Sequence, residues 1–196
     1  MSGGDGPYPG GEHPAPWRTV VVRDFPSSGW ILDVGGGGEG VIGRLKGDRV
    51  VSVDLSESEL HDAPVGPLKM VMDARSMQFL DESFAVVTMF FTLMYLDPGD
   101  HLRALSEAHR VLKPRGTLLI WDATIPPRRP PDPELFIVKI LVELPGATVR
   151  TGYGVRWTEC GQDAERFCAL ARDIGFRLRG RSEDQGLFHL AFEKSE

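Results

Sequence analysis

Cysteine is almost missing from this chain: Cys160 and Cys168 are the only two among 196 residues. Two are too few for a disulfide framework, and neither has partners at metal-ligand spacing, so no metal site is expected. Long apolar runs are absent as well, none reaching the ~20 residues that a helix needs to cross a bilayer. The N-terminus carries no apolar core of the secretory kind. The expectation is a soluble cytoplasmic protein without a membrane span. Positive charge is the minority sign, 22 Lys and Arg against 28 Asp and Glu for a net charge of −6. The arginines of the C-terminal third are interleaved with acids, which leaves no basic stripe for a phosphate backbone, and no nucleic-acid partner is expected. The length suits one domain with a core of its own.

Glycine is plentiful, and its densest cluster organises the chain. Trp30 to Gly40 reads Trp-Ile-Leu-Asp-Val-Gly-Gly-Gly-Gly-Glu-Gly. Ile31, Leu32 and Val34 form the short apolar run of a buried parallel strand, and four glycines then clear every side chain from the turn that follows. Val41, Ile42, Leu45 and Lys46 before Gly47 read as a short helix. Strand, glycine turn and helix make a cradle for a nucleotide cofactor.

The remainder divides around this cradle. Residues 1–16, crowded with Gly and Pro, are expected to be a disordered tail, with 17–196 as a single domain. Trp17 to Phe25 reads as a strand or a turn of helix. Arg49–Asp54, Leu68–Asp73 and Phe84–Phe91 read as further strands, and Asp97-Pro98 opens a helix to about Leu112 that Lys113-Pro114-Arg115-Gly116 ends. Gly116–Asp122 follows as a fifth strand. Asp33, Asp54, Asp73 and Asp122 fall at strand carboxyl ends, where open α/β sheets bind ligands. After the proline-rich 125–131, Asp132 as N-cap and Pro133 as first residue predict a helix over Pro133–Leu144, stopped by Pro145-Gly146. Thr148–Trp157 alternates like a hairpin about Gly152-Tyr153-Gly154, which would set Arg150 against Arg156. Ala164 to Ile174 reads as a helix closed by Gly175, and Phe176–Ser182 with Leu187–Glu193 as a strand pair around Glu183-Asp184-Gln185-Gly186. The expected fold is α/β: a doubly wound, Rossmann-like, mostly parallel seven-stranded sheet with helices on both faces and a C-terminal antiparallel hairpin.

Gly35-x-Gly37-x-x-Gly40, with Asp54 near the ~20-residue offset of a ribose-binding acid, satisfies a dinucleotide fingerprint. Added to it are Asp33 two residues before the first glycine, Asp73-Ala74 after a third strand, and the closing strand pair. With Val53-Asp54, Met72-Asp73-Ala74, Phe79-Leu80-Asp81-Glu82-Ser83-Phe84 and Glu107-Ala108-His109-Arg110-Val111-Leu112-Lys113-Pro114-Arg115-Gly116, the chain resembles the class I S-adenosylmethionine-dependent methyltransferases, in particular the small single-domain type. The resemblance covers about Gly29 to Ala123 closely and Cys160 to Lys194 more loosely.

That resemblance implies S-adenosylmethionine as cofactor, S-adenosylhomocysteine as its product, and a set of roles. Asp33 would order the glycine turn and hold the methionine ammonium, while Gly35, Gly36 and Gly37 let the cofactor lie against backbone. Asp54 would accept from both ribose hydroxyls, Leu55 would pack on the adenine, Asp73 and the Ala74 N–H would meet its polar edge, and Phe90 and Phe91 would border the sulfonium. Glu39 stands where many members have a third glycine, so the turn is expected to differ there.

No catalytic residue is assigned from sequence. Methyl transfer needs position and dryness more than a dyad, and the chain has no Asn-Pro-Pro-Tyr, Asp-Pro-Pro-Tyr or Pro-Cys motif. A small-molecule methyl acceptor is expected. Tyr153, Arg150 and Arg156 are candidate substrate contacts, because like charges directly opposite in a hairpin are destabilising unless something anionic faces them. The insertion over 125–158 is expected to cap the substrate pocket or to form a dimer interface, in a monomer or homodimer. His109 and Cys168 are read as core, His61 and His101 as solvated. The competing readings are a nicotinamide (NAD)-dependent oxidoreductase and a non-catalytic S-adenosylmethionine-binding scaffold.

Overall fold

Burial at every position of Ile31–Val34 places that strand in mid-sheet, covered on both faces. The computed structural model describes residues 15–196, so the expected tail over 1–16 lies, but for its last two residues, outside the described region. In chain order the strands are β1 (Trp17–Val21), β2 (Ile31–Val34), β3 (Val50–Asp54), β4 (Leu68–Val71), β5 (Phe84–Phe90), β6 (Leu112–Ala123), β7 (Leu135–Leu144), β8 (Ala147–Arg156), β9 (Phe176–Asp184) and β10 (Leu187–Lys194). The helices are α1 (Val41–Lys46), α2 (Glu57–Asp62), α3 (His101–Val111) and α4 (Ala164–Ile174). None is long and apolar enough to cross a membrane.

Seven strands form one sheet in the order β4-β3-β2-β5-β6-β10-β9. Its first five strands pair in parallel, and β10 runs antiparallel to both β6 and β9. The sheet is therefore mixed. Gln185 and Gly186, both at positive φ (50° and 73°), make a two-residue turn between β9 and β10, tighter than the four-residue connection expected. Alternate residues feed two cores. Leu32, Val34, Val87 and Ile120 pack under α3 and α4. Ile31, Val50, Val86 and Trp121 face the other way.

That second face is covered by α1 together with a separate three-stranded sheet, β1-β7-β8. Helices therefore lie on both faces, but the second face also carries a sheet that was not expected. Trp17–Val21 is a strand, parallel to β7. Pro133–Leu144 is no helix: Leu135–Leu144 is strand β7, with Val138, Ile140, Val142 and Leu144 buried at a period of two. The run Phe-Ile-Val-Lys-Ile-Leu-Val suits a half-buried pleated surface better than a short isolated helix. Pro145-Gly146, with Gly146 at φ 80°, is the turn between β7 and β8, since Leu144 pairs with Ala147. Gly152-Tyr153-Gly154 is accordingly mid-strand. Arg150 pairs with Leu141 and Arg156 with Leu135, so the two arginines share β8 and do not oppose one another.

Candidate functional site

The parallel register sets Ser52, Asp33 and Thr88 side by side on β3, β2 and β5, a polar row crossing otherwise apolar strands. All three are buried. The Thr88 hydroxyl donates to the Asp33 carboxylate at 2.8 Å. Burial pushes Asp33 up to about 7; the Thr88 hydrogen bond pulls against that shift and the Asp54 charge adds to it.

The glycine turn lies on this row. The N–H groups of Gly35 and Gly36 both donate to Val53 O, at 2.7 and 3.1 Å. A Cβ on Gly36 would stand 1.9 Å from Ser52 Oγ, and one on Gly35, already at φ 70°, would stand 2.5 Å from Thr92 Cγ2. Bare backbone is the only fit. Gly37 N–H donates to Asp54 Oδ2 (3.2 Å), while Ser56 N–H donates to Oδ1 (2.9 Å), which fixes the Asp54 carboxylate at the end of β3. Gly38 N–H donates to Glu59, and Gly40 caps α1 in the left-handed conformation.

Of the sequence-expected residues, Asp33, Gly35, Gly36, Gly37 and Asp54 are thus brought together. Leu55 beside them is exposed at 61%, a free apolar side chain at the cleft rim. Asp73 and Ala74 follow β4, and the Asp73 carboxylate is gripped by Arg75, which also reaches Asp100. That hydrogen-bonded Arg75 holds the Asp73 carboxyl below the usual range. Phe90 and Phe91 are buried at the end of β5, the Phe91 N–H donating to Trp121 O.

β8 crosses this end of the sheet. Thr151 donates to Glu39, and the Tyr153 ring stacks on Phe91 with centroids 4.9 Å apart. Burial raises the Tyr153 phenol well above its ordinary value, and Glu39 adds to the shift, so the group stays neutral and a donor. Glu39, the residue in place of a third glycine, thereby ties the turn to the small sheet. Arg150 is elsewhere, its guanidinium 4.1 Å from the Trp17 ring centroid. Arg156 lies on the rim of an 850 Å³ cavity lined by Tyr95, Arg128, Glu134, Trp157 and Gln162.

Other groups brace this end of the sheet in ways that the sequence did not specify. Asp122, fully buried, accepts from the N–H groups of Leu93, Met94 and Ala123 and from Gln162, anchoring the turn after β5 to the end of β6. Burial still lifts it to about 7. Thr88 and Thr92 were legible only as polar interruptions of an apolar run. His101 is buried and not solvated, bonded through Nε2 to Leu93 O, because α3 begins against the same turn. His109 packs edge-on to Phe176, and Cys168 packs against the core, as expected. Among the described residues no cluster of His, Cys, Asp and Glu could hold a metal.

Residues 32–120, which include this row, the turn and Asp54, match the family described as a methyltransferase domain. The match takes in 89 of the 196 residues and is consistent with a class I S-adenosylmethionine-dependent methyltransferase. The cofactor of this family is S-adenosylmethionine. The chain is 31% identical over 121 residues to a ubiquinone/menaquinone biosynthesis C-methyltransferase of Desulfotalea psychrophila, covering 56% of this chain and 48% of that protein. It spans about half the length of the curated relatives it matches. In fold, the chain is similar to PH0226 of Pyrococcus horikoshii (TM-score 0.63, 18% identity, covering 85% and 83% of the two chains). It is likewise similar to an S-adenosylmethionine-dependent methyltransferase of Methanosarcina mazei (TM-score 0.61, 19% identity, covering 87% and 94%).

Proposed function

We propose that this methyltransferase transfers the methyl group of S-adenosylmethionine to a small-molecule acceptor, as a cytoplasmic monomer or homodimer. The observation that carries the reading is the polar row Ser52–Asp33–Thr88 beneath a turn in which Gly36 has no room for a Cβ. That cradle fits a ligand bound against backbone with one cationic group. Asp33 would balance the methionine ammonium, and Gly35, Gly36 and Gly37 would give the cofactor its seat. Asp54, already oriented by two backbone N–H groups, keeps lone pairs for the ribose hydroxyls. Leu55, Asp73 and Ala74 would border the adenine, with Asp73 pre-oriented by Arg75. Phe90 and Phe91 would border the sulfonium.

When bound, the cofactor supplies an electrophilic methyl carbon and a neutral thioether leaving group. Any proton on the acceptor would pass to solvent or a base. The chain's own task is to align the acceptor and keep water out, a role that the contacts among the Phe90, Phe91 and Tyr153 rings support. The insertion over 125–158 would cap the acceptor side through the small sheet, in which β7 carries β1. Similarity to C-methyltransferases of ubiquinone/menaquinone biosynthesis supports an acceptor of small size.

Calorimetric titration with S-adenosylmethionine, S-adenosylhomocysteine and NAD in parallel tests the reading. Binding of both sulfur nucleotides and not NAD is expected. Binding of NAD alone would overturn it, and cofactor binding without turnover on any acceptor would favour the scaffold reading.

A further inference from the structure

The sheet face that carries Asp33 continues beyond β6 onto β10 and β9. Register sets Phe90, Trp121, His189 and Ser182 in one row of that face, and Leu119, Ala191 and Gly180 in the row behind. Across from them stands β1, the outer strand of the small sheet, with the segment Arg23–Phe25 that follows it. Between these walls lies a 560 Å³ cavity whose lining includes Phe25, Phe91, Leu119, Trp121, Leu187 and His189.

The lining is mainly apolar and aromatic, with Arg23, Asp24 and Asp184 all exposed at the mouth. Its volume falls in the range of ~300–1,000 Å³ typical of small-ligand sites. His189 stacks on Trp121 at 4.6 Å, and its Nε2 is buried with no hydrogen-bond partner. Burial lowers the His189 pKa, so the ring is neutral at physiological pH. An unmade hydrogen bond of this kind is costly, and a ligand group could make it. Phe91 is the wall shared with the cofactor cleft: one side of the residue meets Tyr153, and another lines the cavity. The second cavity mixes Arg128, Glu134, Arg156 and Gln162 with Met94, Ile125, Leu135 and Trp157, and this more polar lining suits an apolar acceptor less well.

We infer that the Trp121–His189 cavity is the acceptor chamber, that it takes a planar, largely apolar molecule with one hydrogen-bonding group, and that the reacting end lies at Phe91. This rests on the placement of the sulfonium beside Phe90 and Phe91 given above.

The probe is 2-naphthol, titrated calorimetrically into the full chain with and without S-adenosylhomocysteine. It is expected to bind in both cases. Thr19→Trp and Ser182→Trp, at exposed positions on opposite walls, should each weaken it by about tenfold or more, while Cys160→Trp in the second cavity leaves it unchanged. All three variants should bind S-adenosylhomocysteine as the parent does. In the ternary complex, a nuclear Overhauser contact is expected between the naphthol ring and the methylene protons next to the cofactor sulfur. No binding, binding indifferent to both chamber variants, or binding blocked only by Cys160→Trp would each overturn the chamber. Chamber binding without the Overhauser contact would overturn its role as acceptor site. Failure of the parent to bind S-adenosylhomocysteine would instead overturn the cofactor reading, a result separate from the naphthol titration.

Discussion

Thr88 and Asp33 sit on adjacent parallel strands, joined by a 2.8 Å hydrogen bond in a part of the sheet where Asp33 is only 1% exposed. A carboxyl so placed resists ionisation, and burial lifts it from an ordinary 3.8 to about 7. The unfolded chain releases this proton near pH 4, the folded one near pH 7. Between those limits the native state holds more protons than the unfolded state, so stability falls as pH rises and levels off above about 7. Asp122 adds a parallel loss over the same window. In thermal melts, Asp33→Asn should remove its share of this slope; an unchanged slope would mean that burial of Asp33 is not its source.

The same proton couples to the cofactor. If the ionised Asp33 balances the methionine ammonium, affinity for S-adenosylhomocysteine should rise with pH through about 7, with protons released on binding below that point. Calorimetry in buffers of different ionisation enthalpy counts those protons. Asp33→Asn should bind more weakly and release none, whereas an equal proton count in both proteins would place the titrating group elsewhere.

Asp54 differs in kind, because it is only partly buried and is held by the Gly37 and Ser56 N–H groups. Removing charge-assisted hydrogen bonds to the ribose in Asp54→Ala should cost about 1.5–3 kcal/mol of cofactor binding. That is roughly ten- to hundredfold in Kd. Asp54→Asn keeps the shape and should fall between the parent and the alanine variant. A change below about twofold, with the melt unaltered, would count against ribose recognition here.

Gly36 and Ser52 test whether the turn is shaped by contact. Gly36→Ala would drive a methyl group to 1.9 Å from Ser52 Oγ. Forced overpacking of this kind costs about 1–3 kcal/mol. Ser52→Gly removes the obstructing side chain, so the double variant should recover more stability than the sum of the single changes predicts. Strict additivity in a double-mutant cycle would show that the two residues do not meet.

What was legible in the sequence and what was not follow from the same physics. The strand–turn–helix around Gly35 could be read because its constraint is local: glycines at tight turns leave few conformations. The central strands of the mixed sheet were readable too, since they are largely apolar and bounded by turns. β7 was not, because Asp132-Pro133 before it and Pro145-Gly146 after it punctuate a strand as they would a helix, and a nearly unbroken apolar run of ten residues has little period to read. Misplacing that turn then paired Arg150 with Arg156 and gave the pair a charge conflict that does not exist. The Asp33–Thr88 contact and the cavity beside Trp121 and His189 depend on register between strands distant in sequence, which no local pattern encodes.

Arg110 carries the last prediction. Within the stretch Glu107–Gly116 that marked the family resemblance, its guanidinium donates to Glu107, to Asp81 and to the carbonyls of Phe79 and Met77, all at 2.7–2.9 Å. Glu107 in turn accepts from Met77 N–H at 2.6 Å. One planar fork on α3 therefore clamps the segment after Asp73 and Ala74, and a lysine has neither the fork nor enough donors to replace it. Arg110→Lys should destabilise by ~2 kcal/mol, because carbonyls at partly buried positions lose their donors. For a domain of this size that is roughly 4–8 °C in Tm. Cofactor affinity should fall much less, since Asp33, Asp54 and the glycine turn are braced separately. If affinity drops as steeply as stability, the segment after β4 is part of the binding site itself, and Asp73 with Ala74 must contribute more to holding the adenine than Asp54 does to holding the ribose.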